Sequence, residues 1–159
     1  MKKSKIILPI LALIVAGFFI FPIVADTTTN SNHLRLFRKR IKALSHPDHS
    51  ESVTTHGRVG LLIGMGNHCD FFVGHIRSFD GNKVMIQNHY KNLTFLNPIT
   101  KNHENCDILF FEDDKTPTSY LPYEFDSLDA WQVKGHDLTK LYVLSIFRSY
   151  DANRDFRCR

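Results

Sequence analysis

The longest apolar stretch of the chain runs from Ile6 to Ala25, twenty residues without a charged side chain. As a helix rising ~1.5 Å per residue, it spans ~30 Å, the thickness of a hydrocarbon core. Because the stretch is apolar on every side, it lacks the solvent-facing stripe of a soluble amphipathic helix. The pattern therefore predicts a transmembrane anchor within residues 1–25.

A cleaved signal peptide is the alternative interpretation of this segment. Lys2, Lys3 and Lys5 form the positive region that precedes both anchors and signals. The apolar run is longer than the ~7–15 residues of a cleavable signal, which favours the anchor. Residues 23–25 (IVA) nevertheless form an acceptable small-residue cleavage site. In that case the mature protein would be secreted to the periplasm.

Residues 26–57 are predicted to be a polar linker that contains one basic amphipathic helix. The stretch 26–32 (DTTTNSN) has no apolar side chain, and Asn32 is the predicted N-cap. Apolar residues then recur at helical spacing, at Leu34, Phe37, Ile41 and Leu44. The helix is predicted to end before Pro47, because the residue preceding a proline avoids the helical region. A second polar linker follows at 45–56.

The other faces of this helix carry five cations: Arg35, Arg38, Lys39, Arg40 and Lys42. Two interpretations stay open, a helix lying on an anionic lipid surface and a helix packed on the domain with a solvated basic face. The cluster also argues for a cytoplasmic domain, whereas the N-terminal lysines argue for the opposite. The lysines lie closer to the apolar run, so we expect the domain to face the periplasm or exterior.

Residues 58–159 are predicted to form an extracytoplasmic α+β domain, a small, mostly antiparallel sheet with one or two helices. Strands are predicted at Phe71–Phe79, Thr94–Leu96, Ile108–Phe111 and Leu141–Tyr150. A helix is predicted from Lys83 to about Asn92, with Asn82 as its N-cap. A second short helix is predicted at Ser127–Val133.

The charge distribution argues against a nucleic-acid partner. The whole chain carries a formal charge of +4. Residues 1–57 contain eight Lys and Arg against three acidic residues, while residues 58–159 contain twelve against thirteen. Because the excess of positive charge lies beside the apolar segment, it fits membrane lipid better than a phosphate backbone.

Three cysteines allow one disulfide if the domain lies in an oxidising compartment. Their spacing does not fix the pairing, and three pairings are possible. We favour Cys69–Cys158, since each lies at the edge of a predicted strand region, with Cys69–Cys106 as the next choice. The remaining Cys106 would then be a small buried apolar residue.

Two weaker patterns suggest chemistry. Cys69 could act as a nucleophile with His75 as its base, but six residues of extended strand separate them by ~20 Å. Asp151, Asn153 and Asp155 match the first three ligand positions of a calcium loop, although Phe156 stands where that loop requires glycine. Neither pattern is complete, and no cofactor is predicted.

The sequence therefore predicts a membrane-tethered extracytoplasmic domain that acts through binding or structural association with an unidentified partner. We favour a non-enzymatic role, because the sequence shows no complete set of catalytic residues. One alternative is a small envelope thiol enzyme or hydrolase that uses Cys69. Another is an immunity or inhibitor protein of the cell envelope.

Overall fold

The protein combines a long N-terminal helix with a small antiparallel sheet. The structure is a computed structural model that describes residues 4–63, 66–111, 133, 135–151 and 154–158, with side chains from residue 14 onward. Its elements in chain order are α1 (Ser4–Lys42), β1 (Ser50–Gly60), β2 (His68–Phe79), α2 (Lys83–Tyr90), β3 (Thr94–Leu96), β4 (His103–Asn105), β5 (Asp107–Phe110) and β6 (Leu141–Asp151). Two 3-10 turns lie at Leu138–Lys140 and Phe156–Cys158. The predicted α+β class is confirmed.

The main sheet has four antiparallel strands in the order β1-β2-β6-β5. One of its two central strands, β2, is almost wholly buried, and its apolar residues contribute to the hydrophobic clusters on both faces of the sheet. β2 pairs with β6 from His68 opposite Asp151 to Ser78 opposite Leu141. The strands β3 and β4 form a separate two-stranded sheet.

One face of the sheet is covered by α1. Phe37 and Ile41 are fully buried there, and the Phe37 ring lies 5.8 Å from the ring of Phe71 and 6.1 Å from that of Phe95. On β6, Tyr142 and Leu144 point to the same side. The apolar spacing that predicted an amphipathic helix thus produces the main hydrophobic core.

A second apolar cluster lies on the opposite face of the sheet. It contains the alternate residues of β2 and β6, among them Phe72, Ile76 and Val143, together with Phe111 and Val133. The sheet is therefore apolar on both faces. The helix predicted at Ser127–Val133 falls outside the described residues, apart from Val133.

The predicted polar linker at 26–32 is wrong, because α1 continues through it without a break. Asn32 is accordingly not an N-cap. The hydroxyls of Thr28 and Ser31 donate to the carbonyls of Val24 and Thr27, four residues earlier, at 2.8 Å each. Extending an existing helix costs no new nucleation, so even a stretch of poor helix formers can stay helical once it is docked.

The second predicted linker, 45–56, is also partly wrong. The strand β1 begins at Ser50 and pairs with β2 as far as Gly60 opposite Asp70. Its polar residues suit an edge strand with a half-exposed surface. The predicted N-cap of α2 is confirmed, since Asn82 accepts hydrogen bonds from the backbone N–H groups of Val84 and Met85 at 2.7 and 3.2 Å.

The apolar part of α1 is exposed rather than packed on the sheet. Phe18 and Phe21 are 79% and 75% exposed, and other large apolar side chains between residues 14 and 24 are also exposed. Among the described residues, this is the one helix long and apolar enough to cross a membrane. It fits a single-pass membrane or signal segment.

Replacing Phe37 with alanine tests whether α1 is an integral part of the domain. Because Phe37 is fully buried, we expect Phe37→Ala to lower the free energy of unfolding by ~3–5 kcal/mol. Lys39→Ala, at an exposed position of the same helix, should change it by less than ~0.5 kcal/mol. Urea unfolding of the detergent-solubilised protein, followed by near-ultraviolet circular dichroism, measures both. Equal effects would mean that α1 does not pack on the sheet.

Candidate functional site

A buried polar junction joins α1 to the end of the sheet. Asn30 on α1 is 4% exposed and Asp155 is fully buried, and the Asn30 Nδ2 atom donates to Asp155 Oδ2 at 3.0 Å. Arg157 donates to both oxygens of the same carboxylate, from Nε at 2.9 Å and from Nη2 at 2.6 Å. Burial alone would raise the pKa of Asp155, but the hydrogen bonds from Arg157 and Asn30 outweigh it and hold the pKa below its usual value.

The segment around Arg157 is also tied to the backbone of α1. The Arg157 Nη2 atom donates to the Thr27 carbonyl at 3.0 Å, and the Arg154 N–H donates to Asp26 Oδ2 at 2.9 Å. The Arg157 carbonyl accepts from Leu61 N at 2.6 Å. This approach requires glycine at Gly60, because a Cβ there would lie 2.8 Å from the Arg157 oxygen. Helix, sheet and 156–158 turn are thus joined at one point.

A disulfide between Cys69 and Cys158 lies beside this junction. It is the pairing favoured from the sequence, and it leaves Cys106 as a free thiol. The Asn30 amide nitrogen lies 3.5 Å from the Cys69 sulfur. In this state Cys69 is not available as a nucleophile. Burial raises the pKa of Cys106 to about 12, so it stays protonated and poorly nucleophilic at neutral pH.

The five cations of α1 do not form a separate surface helix. Since α1 is unbroken, Arg35 and Lys42 lie about 15 and 25 Å along the helix axis beyond Ala25, more than a Debye length at physiological salt. The Arg38 Nη2 atom donates to the Gly57 carbonyl at 2.7 Å, against β1. Of the two interpretations, the structure matches a helix packed on the domain, while a lipid role for these cations stays a prediction.

A second polar cluster is buried in the middle of the sheet around His75, which is 1% exposed. Its Nε2 atom lies 3.2 Å from Nη1 of Arg77, and its Nδ1 atom lies 2.8 Å from the hydroxyl of Thr55. Arginine can only donate, so Nε2 accepts and Nδ1 carries the proton. Arg77 itself donates to the carbonyl of Ser50 at 2.6 Å.

A chain of hydrogen bonds runs next to His75, from the sheet to the end of α1. The hydroxyls of Tyr142 and Tyr90 lie 3.0 Å apart, and His46 Nδ1 lies 2.7 Å from the Tyr90 hydroxyl. The other nitrogen of His46 lies 3.4 Å from the carbonyl of Lys42. Burial lowers the pKa of His46 and raises that of Tyr90. Both side chains are therefore neutral at pH 7 and serve as hydrogen-bonding links.

These contacts do not assemble the predicted Cys69–His75 pair. In the register of β2 and β6, Cys69 lies opposite Tyr150 and His75 lies opposite Leu144, at different levels of the sheet. Both ring nitrogens of His75 are engaged, by Arg77 and Thr55. The cluster has the geometry of a buried hydrogen-bonded network that orients packed elements.

The predicted calcium ligands are not brought together either. Asp155 faces Asn30 and Arg157, and Asn153 lies outside the described residues. Asp151 is exposed at the end of β6. Within the part of the chain that the structure describes, no group of three or more His, Cys, Asp or Glu side chains is placed to hold a metal ion.

The opposite end of the sheet presents a different surface, which the sequence analysis did not identify. A recess of about 390 Å³ is lined there by Asp48, His49, Glu51, Ser78, Phe79, Asp80 and Lys140. Val84 and Met85 on α2 are 57% and 61% exposed. β1 has eleven residues, so this end lies ~30 Å from the junction. We call it the distal end.

Comparison with protein-family models, with curated proteins and with solved structures found no match to this chain. Any functional conclusion therefore depends on the geometry described above.

The disulfide makes a clear prediction about stability. It closes a loop with a sequence separation of 89 residues, and constraining such a loop in the unfolded chain stabilises by ~4–5 kcal/mol. Cys69→Ser and Cys158→Ser should therefore lower the melting temperature by similar large amounts, and the double variant should be no worse than either. Cys106→Ser is the matched control with a small effect. Matching losses for Cys69→Ser and Cys106→Ser would instead indicate a different pairing.

His75 predicts an acid-sensitive stability. Burial, followed by the positive charge of Arg77, lowers its pKa from 6.5 to about 4. The folded protein then binds fewer protons than the unfolded chain between these values, so stability falls as the pH drops from 6.5 to 4 and levels off below. The lowered pKa of His75 corresponds to a loss of ~3 kcal/mol in the free energy of unfolding across this pH range.

His75→Gln should reduce this slope, because glutamine does not titrate, while His46, whose pKa is also lowered, retains part of it. His49→Gln, at an exposed histidine of the distal end, is the control that should retain it. Urea unfolding at a series of pH values measures the effect. An unchanged acid slope in His75→Gln would contradict the assignment.

Proposed function

We propose that the protein is a single-pass membrane-tethered domain that faces the periplasm or exterior and acts through binding or structural association. The observation that carries this proposal is the unbroken helix α1. Its apolar segment is exposed, and the same helix continues into the core of the domain without a linker. The buried junction of Asn30, Asp155 and Arg157 fixes the domain to that helix. This arrangement suits a domain held at a constant height and orientation above a bilayer.

Two independent features support the proposed orientation. The lysines Lys2, Lys3 and Lys5 precede the apolar run and favour a cytoplasmic N-terminus. The disulfide Cys69–Cys158 is stable in an oxidising compartment and rare in the cytoplasm. Both support a domain on the outer side of the membrane.

The distal end is the surface that best fits a protein partner. It lies farthest from the junction and combines exposed Val84 and Met85 with the carboxylates around the recess. Apolar side chains rimmed by charged ones are typical of protein interaction surfaces. An envelope immunity or inhibitor protein is one form that such a binding domain can take. No described contact favours the thiol-enzyme alternative, because Cys69 is bonded to Cys158.

Fractionation and topology reporters test the proposal together. The full chain should sediment with membranes and resist extraction by alkaline carbonate, because twenty apolar residues are held by the hydrocarbon core. An alkaline phosphatase fused after Arg159 should be active, and a reporter that works only in the cytoplasm should be silent at the same place.

Two results would contradict the proposal in different ways. A soluble mature protein beginning at Asp26 would establish a cleaved signal peptide in place of the anchor. A membrane-bound chain with the reverse reporter pattern would show that the cations of α1, rather than the N-terminal lysines, determine the topology. Lys2→Glu combined with Lys3→Glu should lower the activity of the alkaline phosphatase fusion, because fewer chains place the domain outside, whereas Arg35→Glu should not lower it.

A further inference from the structure

The segment 154–158 lies at the level where the apolar part of α1 ends. The backbone of Arg154 bonds to Asp26, and Arg157 bonds to Thr27 and to the hydroxyl of Ser31 at 3.2 Å. At ~1.5 Å per residue, these three helix positions lie within ~10 Å of Ala25 along the helix axis. If α1 spans a bilayer, this segment is held at the membrane surface.

Arg154 lies beside the apolar segment. Together with Phe18, Phe19 and Ile23, it lines a recess of about 310 Å³ on the side of α1. An arginine beside a transmembrane segment can lay its aliphatic stem on apolar side chains and place its guanidinium among lipid phosphates. The position of Arg154 fits this geometry.

Phe156 is an exposed aromatic ring in the same segment. It is 68% exposed, while its neighbours Asp155 and Arg157 turn toward α1. Among the described residues, no aromatic ring packs against Phe156. An aromatic ring at the boundary between headgroups and acyl chains, by contrast, gains from burial in lipid.

We infer that the segment 154–158 is a second lipid contact, in which Phe156 inserts into the membrane interface and Arg154 binds lipid phosphate. This inference rests on the proposed membrane tether and adds to it a place where the domain itself touches the bilayer. The junction and the disulfide hold both side chains at this level. The distal end then faces away from the membrane.

Tryptophan fluorescence of the full chain tests this contact. The native Trp131 is replaced by phenylalanine, and Phe156→Trp is introduced as the reporter. The protein is reconstituted into phosphatidylcholine vesicles containing lipids brominated on the upper acyl carbons. Val84→Trp, at a comparably exposed position of the distal end, is the matched control.

The reporter at position 156 should be blue-shifted and quenched about twofold, because a ring inserted ~5–10 Å into the interface lies within reach of the bromine atoms. The reporter at position 84 should keep the emission of a water-exposed indole and little quenching. Adding Arg154→Glu should reduce the quenching at 156, since a carboxylate is repelled by lipid phosphate. If Trp131→Phe loses its near-ultraviolet circular dichroism, the same reporters are measured as difference spectra against the unmodified chain.

Flotation of the same samples separates the inference from the tether. Protein that floats with the vesicles but shows no quenching at 156 overturns the lipid contact and leaves the tether standing. Equal quenching at 156 and 84 also overturns it, because the distal end would then touch lipid as well. Protein that does not float overturns the tether and, with it, the contact.

Discussion

The buried carboxylate of Asp155 is the group on which the arrangement of helix and sheet depends. A carboxylate removed from water is costly unless it is both paired and hydrogen-bonded. Here Arg157 provides the opposite charge, and Asn30 of α1 provides a further donor. If α1 moved away from the sheet, a buried charge would lose one of its partners. The junction therefore specifies how the helix is placed, in addition to the apolar packing that stabilises it.

The far end of α1 is held by a different kind of polar contact. There the Lys42 carbonyl, the imidazole of His46 and the hydroxyls of Tyr90 and Tyr142 form a chain between neutral groups. The apolar contacts of Phe37 lie between the two polar ends. Since the part of α1 that packs on the sheet is fixed by directional bonds near Asn30 and near Lys42, it has little freedom to roll or slide on the sheet.

The sequence predicted those features that follow from periodicity. The apolar run, the buried strands around Phe71–Phe79 and Leu141–Tyr150, and the Asn82 cap all have strong local signals, and the structure contains each of them. The strand β1 and the helical stretch 26–32 have weak local signals. Their conformations depend on partners distant in sequence, β2 and the 154–158 segment.

The candidate site was predictable only in part for the same reason. The cysteine pairing was favoured from strand edges, but Asn30 and Asp155 are separated by 125 residues and carry no motif that links them. A polar residue within a stretch of Ser, Thr and Asp resembles a linker residue, and only its burial reveals its role. The sequence did not indicate the polar surroundings of His75 either. Arg77 lies on the same strand and Thr55 on the neighbouring strand β1, so the three residues form no local motif.

If α1 spans a bilayer as proposed, its unbroken course into the domain makes the connection sensitive to the number of residues in the helix. A flexible linker would tolerate one more residue without consequence. In α1, one residue added between the apolar run and Asp26 would turn the domain by ~100° about the helix axis and shift it by ~1.5 Å. The segment 154–158 would then meet the membrane surface on a different side of the helix axis. The length of this helix therefore determines the angular position of the domain as well as its height.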